Sequence, residues 1–107
     1  MLLDLEQGLS NDVSRIKAGL TLKLKDASHV LVIVGRYANQ RHRDYLEIGH
    51  RNWINFEISQ GKLYNKKLVA VRLKPNYELP DEVKNASSGR LVDGFSQANI
   101  IAALNKT

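Results

Sequence analysis

The chain has 107 residues, no cysteine and a formal charge of +5. This bounds it to one small domain or part of one, and excludes disulfides, thiolate metal sites and thiol nucleophiles, while the positive excess favours phosphate-bearing partners. No apolar run approaches the ~20 residues of a membrane span. The opening Met1-Leu2-Leu3-Asp4-Leu5-Glu6 is too short and too acidic for a signal peptide, and a cysteine-free chain fits a reducing cytoplasm as the expected compartment.

In chain order, Ser10-Asn11-Asp12 offers helix N-caps, and Val13, Ile16, Leu20 and Leu24 recur at helical spacing, which predicts an amphipathic helix over 12–25. His29-Val30-Leu31-Val32-Ile33-Val34-Gly35 is an apolar, β-branched run ending in glycine, and reads as a strand buried on both faces of a parallel sheet. Residues 36–51 read as a long polar loop, of the length that is usually functional or mobile in a compact domain. A helix over about 52–64 follows, with Trp53, Phe56, Gln60 and Leu63 on one side. Leu68 to Leu73 is the next strand, and Pro75-Asn76 begins a turn. Pro80 suits the start of a short helix over 81–86. Arg90 to Asp93 is a short third strand, and Ser96 caps a last helix carrying Ala98, Ile101 and Leu104. Alternation of this kind predicts a parallel, three-layer α/β sheet.

Ligands of open parallel sheets bind beyond the carboxyl ends of the strands, where Gly35 and the loop after it should lie. Glu57, one turn after Trp53 in the early turns of the second helix, has the placement of a functional carboxylate; the plainer reading is a surface acid favoured by the helix dipole. Arg36, Arg41, Arg43 and Arg51 gather in the loop with His42 and His50. They suit a bidentate pyrophosphate clamp or simple solubility in equal measure. Phe56 reads as core, and Trp53 as core or a stacking surface. His42-Arg43-Asp44 matches part of a kinase catalytic loop by chance, since the required asparagine is replaced by Gly49. The three histidines form no metal constellation, and no serine sits on a nucleophile elbow.

The segments Ile16 to Leu20, Asp26 to Gly35, Ile48-Gly49-His50-Arg51-Asn52-Trp53-Ile54-Asn55-Phe56-Glu57-Ile58 and Lys67 to Leu73, continuing through Tyr77, Pro80 and Phe95 to Leu104, resemble the bacterial TIR-like domains of the Thoeris antiphage system. The resemblance implies a flavodoxin-like TIR fold for a single partial domain over 1–107. It also implies cleavage or cyclisation of NAD to a signalling nucleotide, with Glu57 as the catalytic carboxylate. Gly35, Arg36, Arg51, Asn52 and Trp53 are the corresponding nucleotide-binding candidates. The family's first strand, helix and second strand are missing here or reduced to residues 1–7. NAD would be substrate, with no further cofactor and no metal. The alternative is a non-catalytic TIR-like module for nucleotide binding or self-association. A homo-oligomer is expected, because the apolar strand at 29–34 would lack a neighbour. Nucleic-acid binding is disfavoured, since the basic loop lacks the interleaved aromatics of a single-strand groove.

Overall fold

The computed structural model describes residues 9–86 and 89–106. The expected strand candidate at Met1 to Leu5 therefore lies outside the described residues. The elements are α1 (Leu9–Lys25), β1 (His29–Val34), α2 (Tyr45–Ile48), α3 (Trp53–Leu63), β2 (Lys67–Arg72), α4 (Asp81–Lys84), β3 (Arg90–Asp93) and α5 (Gln97–Lys106). The three strands form one parallel sheet in the order β1-β2-β3. His29 registers with Lys67 and Val34 with Arg72, while Val69 registers with Arg90. The alternating α/β reading holds, and the layout is compatible with a flavodoxin-like arrangement.

Helix ends follow short-range chemistry. Asn52 adopts an extended backbone and its side chain accepts from the Asn55 N–H, which starts α3. Ser96 Oγ accepts from the Asn99 N–H at 3.3 Å and does the same for α5. α1 begins at Leu9, three residues before the expected start, so Ser10, Asn11 and Asp12 occupy its first turn. The 36–51 segment is not all loop. Asp44 O accepts from Glu47 and Ile48, and Gly49 closes α2 in the left-handed region at φ 81°. Ile48 is thereby buried.

The two faces of the sheet are covered unequally. On one face Val30, Val32 and Val34 pack with Ile58, Leu68 and Ala70, and Leu24 and Ile54 close over them. On the other, α5 lays Ala103 against Val69, Val71 and Val92. That helix covers β2 and β3, so the second face of β1 is left open: Leu31 is 48% and Ile33 44% exposed. The expectation of a strand buried on both faces is corrected here. β2 is the strand buried on both sides, because it is central, and β1 is an edge strand with no second partner among the described residues. An unbroken apolar run marks a strand but does not say which of its faces is covered. α3 approaches β1 closely at Gly61, where an added Cβ would stand 2.7 Å from Val30 Cγ2.

No helix among the described residues is long and apolar enough to cross a membrane.

Candidate functional site

At the carboxyl end of β1 the chain leaves Val34 through Gly35. Arg36 and Tyr37 are exposed, and Ala38 and Asn39 turn inward. Three buried asparagines then organise the region. Asn52 Nδ2 donates to Ala38 O at 2.8 Å and Gln40 O at 2.9 Å, while its Oδ1 accepts from Asn55 N. Asn55 Nδ2 donates to Asn39 Oδ1 and Asn52 Oδ1, and its Oδ1 accepts from Glu82 N at 2.9 Å. Asn39 Oδ1 accepts from Asp81 N, and its Nδ2 donates to Asp81 Oδ1 at 3.0 Å. Arg51 Nε completes the chain with Asp81 Oδ2 at 2.9 Å. The Asp81 carboxyl is accordingly held below its ordinary range, chiefly by the Arg51 and Asn39 hydrogen bonds. Loop, α3 and α4 are thus sewn together by groups that use their hydrogen-bonding capacity on one another.

Two of the expected nucleotide-binding residues, Arg51 and Asn52, are members of this internal network. Trp53 is half-buried and packs edge-on to Phe56 with ring centres 5.6 Å apart, and to His42 at 6.4 Å. Its cluster includes Val13 and Ile48, so it anchors α3 to α1 and α2. Arg41 lies over the Tyr45 ring at 4.8 Å, and Arg43 stands beside Asp44. Arg41, His50 and Arg51 do share a shallow pocket, but Asp81 lines it too and offsets their charge.

Glu57 sits elsewhere. It opens into a groove of about 230 Å³ whose walls are Leu20, Leu24, Val30, Leu31 and Phe56, with Lys23, His29 and Gln60 at its polar rim. These residues come from α1, α3 and the first half of β1, not from the carboxyl end of the strand. None of Gly35, Arg36, Arg51, Asn52 or Trp53 lines it. The sequence placed Glu57 near the carboxyl end because it is close to the start of α3, but one helical turn carries it back along the sheet. Burial pushes the Glu57 carboxyl above its ordinary range, with the Lys23 charge opposing the shift. No hydrogen bond or ion pair to its carboxylate exists among the described residues, although Gln60 and His29 nearby are both engaged: Gln60 Nε2 donates to Thr21 Oγ1, and His29 bridges Ser28 Oγ and Leu104 O. The Leu104 carbonyl can only accept, so His29 Nε2 carries a proton.

Asn39, Asn55 and Asp81 were missed by sequence reasoning. A signal existed: Asn55 interrupts the apolar positions of Trp53, Ile54, Phe56 and Ile58, and a polar residue at such a place needs partners. No group of three potential metal ligands occurs among the described residues.

The fold and site define an α/β protein with a parallel sheet and a half-buried, unpaired carboxylate beside its first strand. No protein-family model, curated protein or solved structure matches the chain.

Proposed function

We propose that this chain is a TIR-like α/β domain that cleaves the bond between nicotinamide and ribose in NAD, with Glu57 as the catalytic carboxylate. The single observation that carries the reading is the state of Glu57: half-buried, raised in pKa by desolvation and unpaired. The Asp81 carboxylate, by contrast, is paired with Arg51 and Asn39. A carboxylate kept in a groove with no hydrogen-bond partner among the described residues, and only the Lys23 charge acting on it, is a group available to a ligand. The resemblance supplies the substrate.

Cleavage breaks the bond from ribose C1′ to the pyridinium nitrogen. The bonding pair leaves with nicotinamide, and C1′ becomes oxocarbenium-like until water or an internal nucleophile adds and a proton is released. Ionised Glu57 stabilises that positive centre, and the apolar walls of Leu20, Leu24 and Phe56 strengthen the attraction by excluding water. At about 230 Å³ the groove would take only part of the dinucleotide, the remainder extending beyond it. The rate should climb as pH rises through the raised Glu57 pKa, because the ionised form does the work. Chromatographic detection of nicotinamide released from NAD tests the reading. Glu57→Gln should lower turnover by about a hundredfold or more with unchanged circular dichroism. Equal turnover in the two proteins would sink it.

A second reading is favoured by β1. Its outer edge has no partner among the described residues, and Leu31 and Ile33 are half-exposed beside it. Such an edge is a template for pairing, and a second copy related by a two-fold axis is the simplest closed solution. On this reading the chain is a self-associating TIR-like module. Sedimentation of the intact chain tests it: a dimer that Leu31→Lys with Ile33→Lys converts to monomer supports it, and a monomeric parent overturns it.

A further inference from the structure

The amino end of the sheet carries a cleft that neither reading uses. It is about 680 Å³ in volume and shares no lining residue with the Glu57 groove. The topology makes it: α3 and α5 terminate here, α4 ends beside it, and β2 and β3 begin here. Lys62, Lys66, Lys67, Arg90 and Lys106 are five of its ten described lining residues, and none of those ten is acidic. The lining is more one-sided in charge than the chain as a whole, which has 16 basic and 11 acidic residues.

Part of the set has a local explanation. Lys62 and Lys106 lie in last helical turns, where a cation complements the helix dipole. Lys67 and Arg90 open strands, where no such reason applies. Two of the five are tethered: Lys62 Nζ meets Glu82 at 3.2 Å, and Lys66 Nζ donates to Lys25 O at 3.1 Å. Lys67, Arg90 and Lys106 have no carboxylate within ion-pair distance among the described residues. All three are exposed to solvent, so their charges are accessible to an anion that enters the cleft. The described lining residues include no aromatic ring, so they offer phosphate contacts rather than base stacking. Asn65, held in the left-handed region at φ 57°, and Asn85 add neutral amides to the wall. The volume falls within the ~300–1,000 Å³ typical of small-molecule sites.

We propose that this cleft binds a small ligand carrying at least two phosphate groups, with Lys67, Arg90 and Lys106 making the principal contacts. The probe is inorganic tripolyphosphate, titrated into the intact chain at about 0.15 M salt and followed by calorimetry and amide chemical shifts. The expected result is saturable one-site binding that weakens as salt rises. Lys67→Glu with Arg90→Glu should weaken it at least tenfold. Arg43→Glu with Lys74→Glu makes the same change in net charge on exposed residues outside the cleft and should leave affinity within twofold. If the first pair fails to fold by circular dichroism, Lys106→Glu at the end of α5 replaces it and should weaken binding at least threefold. Absence of saturable binding, or equal weakening by the two pairs, overturns the proposal. So does a short single-stranded DNA that binds the chain and is not displaced by tripolyphosphate.

Discussion

The carboxyl end of the sheet and the Glu57 groove treat polar groups in opposite ways. Around Asn39, Asn52 and Asn55 the inward-facing amides are matched by partners within the chain, and Arg51 is tied to Asp81. In the groove a half-buried carboxylate has no hydrogen bond among the described residues. A polar group whose capacity is used internally contributes to the fold. One left over in a cleft is destabilising by itself and is free to act on something that enters. Both regions are served by α3, through residues two positions apart, Asn55 and Glu57.

The largest effect should come from breaking the satisfied side. Asn55→Ala removes one acceptor and two donor contacts from a residue that is 1% exposed. It leaves Glu82 N without its acceptor, takes one of two donors from Asn39 Oδ1 and from Asn52 Oδ1, and opens a small cavity, and should cost about 3 kcal/mol in urea unfolding. A cost below ~1 kcal/mol would mean that water satisfies these groups readily and that the network is not structural.

The groove's wall should prove rigid even though its carboxylate is unheld. Gly61→Ala places a Cβ against Val30 Cγ2. Overpacking of ~1–3 kcal/mol competes with a helix-propensity gain of ~1 kcal/mol, for a net loss of about 1 kcal/mol in the same unfolding experiment. A gain in stability would show that β1 and α3 separate easily at this end.

The two carboxylates should respond to pH with opposite signs. The folded pKa of Glu57 is raised, so its contribution to stability is present below the unfolded pKa and lost as pH rises through the folded one. Glu57→Gln should therefore raise the melting temperature at neutral pH, with the difference closing below about pH 4. The folded pKa of Asp81 is depressed, so its contribution is present above the unfolded pKa and lost as pH falls through the folded one. Asp81→Asn should lower the melting temperature at neutral pH and converge with the parent in acid. The same sign in both variants would erase the contrast between the regions.

The smallest effect should be Arg51→Ala. Its ion pair with Asp81 is half in solvent, so any drop in melting temperature should be slight and should vanish in about 1 M salt. A salt-insensitive loss would mean that Arg51 acts by packing.

Apart from α2, the order of elements, the parallel α/β character and the starts of α3 and α5 were legible in the chain itself. Each rests on interactions a few residues long: apolar spacing, the Asn52 and Ser96 caps, and the β-branched runs at 29–34 and 68–71. α2 was not legible because four residues present no period, and its stop at Gly49 depends on a left-handed backbone. What only the tertiary structure decided was placement. It put β2 rather than β1 at the centre, because β2 pairs with both other strands, and it left Leu31 and Ile33 uncovered, because α5 packs over β2 and β3. It carried Glu57 away from Arg36, Arg51 and Asn52, because a helix turns a short sequence separation into a different face and a different depth along the sheet. It drew Lys67, Arg90 and Lys106 to one cleft, because parallel strands begin at the same end and the helices between them return there. Local periodicity is encoded within one or two turns of chain, whereas convergence of residues up to 44 apart in number is set by strand order and crossover, which no short window contains.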